Sequence, residues 1–404
     1  MLLAIGRVVV EKNGKVYQTF EQALDVIKRL DTLTCGAPKI ICLVGWQYNG
    51  HDSKYPAWGE VNERLKRPQD ATALESLRWL IREGRKHHTA VSLHINMIDA
   101  YDDSPLWKEY LEKDIIAKDK NGKVIDGEAW GGQVSHQISY AREWETGLAR
   151  RRIDGLLKMV PELKESHTIH VDAYHGGCRP YHENEPMSPF LGYSASKEYE
   201  AQRKTFRYFR DQGIDVTSEY STIFRLPLPE SGGQVDSFIG LQPLAVNFRN
   251  PAPNMPPKLY CDTPMHRAGR DVAELLIKQD PKKLPCVLKL FCLEEAPWLW
   301  SNHLRHDDDM QQPQAADWAK VLQDQNCCIP LSWKQTPTLV AYSVTGYDNK
   351  TWTLPVPWQS VKTARLTRIA SDGSKTEDAG EVEIKDGKLT LSLKDDEAVM
   401  VEAQ

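Results

Sequence analysis

The chain has 404 residues, of which 41% are hydrophobic and 26% charged, and carries a formal net charge of −5. That balance belongs to an ordinary globular protein with room for one large domain and a small one. It supplies no field for a polyanion, which argues against nucleic acid as a partner, and no apolar run approaches the roughly 20 residues of a membrane helix.

The N-terminus, MLLAIGRVVVEKNGK, lacks a basic n-region and a small-residue cleavage site, so it does not read as a signal peptide. That says nothing of a leader removed ahead of this numbering. Arg7 to Phe20 reads as a hairpin turning at Asn13-Gly14. Phe20 to Leu33 has apolar residues at helical spacing, and Lys39 to Gly45 (KIICLVG) follows as a buried strand. Ala71 to His87 reads as an amphipathic helix and Thr89 to Asn96 (TAVSLHIN) as the next strand. A helical stretch at Lys108 to Ile116 leads to the Asn121-Gly122 turn, a weaker strand at Gln133 to Ser139, and a helix from Trp144 to Val160 stopped by Pro161. Thr168 to Ala173 is a strand, Ser196 to Asp211 a helix and Ile214 to Glu219 a strand. Strands are then expected at Ser237 to Gln242, Cys286 to Cys292 and Cys328 to Ser332, with helices at Ala268 to Gln279 and Ala315 to Asp324. Eight strands alternating mostly with helices point to a (β/α)8 TIM barrel enlarged by long loops, over residues 1–335.

After about Trp333 short strands with polar turns at Asp372-Gly373 and Asp386-Gly387 follow one another without a helix pattern. Residues 336–404 read as a C-terminal antiparallel β-sandwich domain with a packing role. The 8 cysteines show no CxxC spacing, so no zinc site is expected from them, and reduced thiols in a cytoplasmic setting are the expectation.

Two expected strands end in an acid flanked by an aromatic: TIHVDAY at Asp172 and IDVTSEY at Glu219. A strand interior has no use for an acid unless it faces a pocket, and in a parallel barrel the C-terminal strand ends form the active-site rim. Paired carboxylates there are what glycosidic cleavage needs. Adjacent strands lie about 4.8 Å apart, so the two side chains can meet the roughly 5 Å spacing of a retaining enzyme, with Asp172 as nucleophile and Glu219 as acid and then base. The bland alternative is a helix cap or an ion-pair partner. At the same rim stand candidate substrate-binding residues: Trp46, His51, Asp52, Asn96, Tyr101, Gln137, Tyr140, Tyr174, His175, Gln242 and Trp298. His94 and His170, inside strands, read as packed core residues. Asp307-Asp308-Asp309 is an acidic run of the kind that holds a hard cation or simply solvates a loop.

The run LVGWQYNGHDSKYPAW, followed by SLHINMIDAY, HVDAY and VTSEY, resembles the α-N-acetylgalactosaminidases of glycoside hydrolase family 129 and, more distantly, the endo-α-N-acetylgalactosaminidases of family 101. The similarity runs from about Phe20 to Trp300. It implies a retaining hydrolase of GalNAc α-linked to Ser or Thr in mucin-type O-glycans, acting on a carbohydrate or glycopeptide. By motif, the nucleophile falls on Asp172, the acid/base on Glu219 and the sugar-contacting aspartate of GHD on Asp52. It implies no cofactor for the chemistry, but a divalent ion, often calcium, in some members, with ligands not assigned here. The loop Gly176 to Tyr193 matches nothing in the family pattern. Competing readings are an α-glycosidase for another sugar such as galactose and a non-catalytic carbohydrate-binding barrel.

Overall fold

A computed structural model describes residues 2–4, 15–172, 174, 187–218, 238–240, 281–297, 300 and 324–404. Its larger part is built on a parallel sheet of β1 (Leu2–Ala4), β2 (Lys39–Val44), β3 (Thr89–Asn96), β8 (Thr168–Asp172), β9 (Asp215–Ser218) and β10 (Phe238–Gly240), in that spatial order. The connecting helices α1 (Phe20–Leu33), α2 (Ala73–Arg85) and α7 (Ala195–Asp211) stand close to where apolar spacing puts them. α1 and α2 start at capping boxes, Thr19 with Gln22 and Thr72 with Glu75, each satisfying N-terminal amides that would otherwise lack partners. Inward faces such as Leu77, Leu80 and Ile81 pack toward strands that are buried almost throughout. At Gly84 a Cβ would lie 2.6 Å from Val91 Cγ2, so only glycine lets α2 approach β3 this closely.

Between β3 and β8 lie short elements: β4 (Asp99–Ala100), α3 (Trp107–Glu112), β5 (Ala129–Trp130), β6 (Gln133–Val134), β7 (His136–Gln137), α4 (Tyr140–Glu145), α5 (Leu148–Met159) and α6 (Leu163–Ser166). The single helix expected from Trp144 to Val160 is interrupted where Gly147 adopts φ +78. The strand expected at Gln133 to Ser139 is two fragments: β6 pairs with β5 and β7 with β4, both antiparallel and outside the parallel sheet.

Two further barrel strands are corrected. Cys286 to Cys292 is helical, as α8 (Leu284–Leu290) running into a wider turn at Phe291–Glu295. Pro285 sits in the first turn, where a missing amide costs nothing, and Leu284, Val287, Leu288 and Phe291 are buried at helical spacing. Cys328 to Ser332 overlaps β11 (Asn326–Pro330), the edge strand of the C-terminal sheet. The eight-strand count thus included three segments that are not strands of this sheet. The expected N-terminal hairpin and the helices at Ala268 to Gln279 and Ala315 to Asp324 fall wholly or mostly outside the described residues.

The C-terminal sheet is antiparallel and seven-stranded: β11, β12 (Thr338–Ser343), β17 (Glu397–Ala403), β14 (Thr363–Ile369), β15 (Thr376–Lys385), β16 (Lys388–Leu393) and β13 (Tyr347–Thr353) in spatial order. It is nearly closed, and the ten-residue β15 pairs with β14 along one stretch and with β16 at its end. One side encloses Leu339, Trp358, Leu389, Leu391 and Val401. The other joins the main core through Ile329, Val340, Tyr342 and Ile369, near Phe291, Cys292 and Leu293. Among the described residues no helix is long and apolar enough to cross a membrane.

Candidate active site

β3 and β8 are neighbours in parallel register, with His94 opposite His170 and Asn96 opposite Asp172. Side chains two apart on a strand share a face, so these four form two polar layers on one side of the sheet, ending at the strand termini. Asn96 is fully buried and fixed by its own turn: its Oδ1 accepts from the amides of Ile98 (2.8 Å) and Asp99 (2.9 Å). That leaves Nδ2 to donate to Asp99 Oδ2 at 3.0 Å and to Asp172 Oδ2 at 3.4 Å. On the other side of the carboxylate, His94 Nε2 lies 3.7 Å from Asp172 Oδ1. Asp172 itself is 16% exposed, open enough to meet a ligand and enclosed enough to be aimed.

The loop after β2 brings a second set. His51 Nε2 stands 3.4 Å from Asp52 Oδ2, and Tyr55 Oη is 3.3 Å from His51 Nδ1. Asp52 adopts φ +54, an uncommon conformation for a non-glycine residue, and its amide donates to Tyr55 Oη at 3.4 Å. The His51 ring meets that of His94 edge-on at 5.1 Å, and His94 lies 5.1 Å from His170, so three imidazoles run inward from the rim.

Burial shifts the groups around them. Asp99 is pushed up to about 6, first by loss of hydration and then by Asp52 and Glu128, against the donors Asn96 and Ser135. The Tyr101 phenol is raised by burial and then by Asp52, Asp99 and Asp172. Its hydroxyl has no hydrogen-bond partner among the described residues.

Other expected rim residues lie deeper. Trp46 is fully buried, its indole donating to the His94 carbonyl at 2.9 Å. Tyr140 and Tyr174 stack edge-on at 4.8 Å, and Tyr174 meets Phe206 at 5.6 Å. These rings brace the wall behind the strand ends and offer no open face. Gln137, in register with Asp99, lines a crevice with Ala117, Ile125, Asp126 and Gly127. Glu219, His175, Gln242 and Trp298 lie outside the described residues, although β9, the strand that leads to Glu219, pairs directly with β8.

Two features of the candidate site were not read from the sequence. His94, read as core, is buried but faces the key carboxylate, and its spacing of two from Asn96 was the available signal. Arg152 is the other. Its Nη2 donates to the Asn96 carbonyl at 2.9 Å, its Nη1 to Glu143 Oε1 at 2.5 Å, and its guanidinium lies 3.9 Å over the Trp58 ring. It locks the end of β3 from behind, and nothing in its helical context signalled that.

The calcium implied by the resemblance can be tested against donor chemistry. Among the described residues the one trio able to hold an ion is His51, His94 and Asp172, whose donor atoms lie within 4.8 Å of one another. Two imidazole nitrogens do not suit calcium, which takes six to eight oxygens. Asp307 to Asp309 lie outside the described residues.

A family model described as endo-alpha-N-acetylgalactosaminidase, glycoside hydrolase 101, matches residues 6–225. This is one of the two families that the motifs resemble. Among similar solved structures, the alpha-N-acetylgalactosaminidase NagBb from Bifidobacterium bifidum is 15% identical, with a TM-score of 0.44, over 54% of this chain and 34% of that one. The alpha-galactosidase TtGalA from Thermus thermophilus, in complex with stachyose, is 15% identical with a TM-score of 0.33, over 54% and 39%. The alpha-amylase from Geobacillus thermoleovorans, complexed with acarbose, is 12% identical with a TM-score of 0.46, over 100% and 98%. The chain spans about a third of the length of the first of these, and likenesses this distant carry no argument about activity.

Proposed function

The chain belongs to the endo-α-N-acetylgalactosaminidase family, glycoside hydrolase family 101, and from that premise we propose that it is a retaining α-glycosidase cleaving α-linked N-acetylgalactosamine from Ser/Thr-linked, mucin-type glycans. The observation that carries the reading is Asp172: a carboxylate ending a parallel strand, partly open to solvent, tethered by Asn96 and faced by His94.

We assign attack on the anomeric carbon to the Asp172 carboxylate, which Asn96 holds through Oδ2. The C–O bond to the aglycone breaks as Glu219 passes its proton to the leaving oxygen, and a glycosyl ester of Asp172 results. Water then gives its proton to Glu219 and its oxygen to the anomeric carbon, freeing Asp172 and returning the original configuration. His51 and Asp52 supply hydrogen-bond groups for sugar hydroxyls. A closed (β/α)8 barrel over residues 1–335, with residues 336–404 as a packing module, belongs to the same proposal. It is supported by the parallel order of the described strands.

The test is a panel of nitrophenyl α- and β-glycosides followed by NMR of the first-formed anomer, including α-GalNAc alone and α-GalNAc extended by one sugar. Hydrolysis of the α-GalNAc compounds with the α-anomer appearing first is expected. Release of the intact disaccharide marks endo action, and of GalNAc alone the exo action of family 129. Cleavage of the α-galactoside only redirects the sugar assignment. A β-anomer first, or no turnover, overturns the reading.

A further inference from the structure

We propose that His51, His94 and Asp172 form a binding site for a borderline divalent cation such as Zn²⁺, and that an ion held there competes with the sugar. The donor set is the first argument. Two imidazoles and one carboxylate suit zinc, copper or nickel, whereas calcium and magnesium need oxygen shells. Spacing is the second. The three donors lie within 4.8 Å of one another. His94 Nε2 and Asp172 Oδ1, 3.7 Å apart, are beyond hydrogen-bond reach. That separation is near the ~3.4 Å between two ligands on one tetrahedral zinc with bonds of about 2.0–2.1 Å.

Support and access are the third argument. With the proton of His51 on Nδ1, facing Tyr55 Oη at 3.3 Å, Nε2 is the donor presented. The 5.1 Å stack with His170 steadies His94 from behind. His51 is 24% and Asp172 16% exposed, so an ion reaches them from solvent, while His94 forms the floor. Competition, unlike binding, rests on Asp172 being the nucleophile: an ion that takes its oxygen removes it from the anomeric carbon.

Calorimetric titration of the whole chain with zinc chloride tests the site. One equivalent is expected, weakened at least tenfold in His51→Ala and in His94→Ala, with calcium chloride giving no saturable heat. If His94→Ala fails to fold, His51→Ala, on the partly exposed loop, decides alone. No zinc binding, or binding undiminished in the folded variants, overturns the site. In parallel, zinc should abolish hydrolysis of the aryl α-GalNAc and EDTA restore it. Zinc bound through these histidines with full hydrolysis would remove the competition and Asp172's role while leaving the site. Active hydrolysis with no zinc binding would remove the site and leave the glycosidase.

Discussion

In the C-terminal sheet, β16 alternates buried Leu389, Leu391 and Leu393 with exposed Lys388, Thr390 and Ser392, and ion pairs such as Arg365–Asp378 sit on the surface. In the parallel sheet, β3 and β8 place His94, Asn96, His170 and Asp172 inward, in register pairs. Both obey the same period of two. The first spends it on apolar burial. The second accepts the desolvation of polar groups that a stability-driven sheet would replace with Val or Ile. Burial alone does not mark the candidate nucleophile, however. Glu143 and Arg152 are buried more deeply than Asp172 and pair with each other, away from the strand end that Asp172 closes.

The contrast yields graded consequences. Arg152→Met removes one member of a buried ion pair and the donor to the Asn96 carbonyl, and should destabilise by about 3–5 kcal/mol in urea unfolding. The double variant Arg152→Met/Glu143→Leu should recover most of that. Asp99 comes next. Its native pKa of about 6 lies above the ordinary 3.8, so between these values the unfolded chain binds fewer protons and stability falls as pH rises. Asp99→Asn should match the wild type near pH 4 and exceed it at pH 7 by up to about 3 kcal/mol. Urea curves at the two pH values check this. Arg365→Ala, which removes an exposed cross-strand partner of Asp378, should leave the melting temperature unchanged within error.

What was legible in the sequence follows from the same physics. α1, α2 and α7 carry apolar stripes, and β2, β3, β8 and β9 are β-branched runs with punctuated ends, so periodicity alone located them. Cys286 to Cys292 was misread because a run this short, apolar but for Lys289, shows too little period to tell strand from helix, and Pro285 favours a first helical turn as readily as a strand start. Cys328 to Ser332 was read as a strand correctly but assigned to the wrong sheet, since partner choice is a tertiary matter. At the candidate site, Asn96 and Asp172 were legible as polar residues that end strands, and His51 and Asp52 as polar residues in the loop that follows one. His94 did not, because a histidine within a strand looks like packing until its register partner is known. The aromatics were over-read: Trp46, Tyr140 and Tyr174 are walls.

The central claim is that Asp172 bonds covalently to the anomeric carbon, and azide rescue addresses it most directly. Asp172→Ala should lose aryl α-GalNAc hydrolysis by several orders of magnitude while its urea midpoint stays close to that of the wild type. Added azide should restore turnover and give the β-glycosyl azide. Near-wild-type hydrolysis by Asp172→Ala without azide would contradict the account.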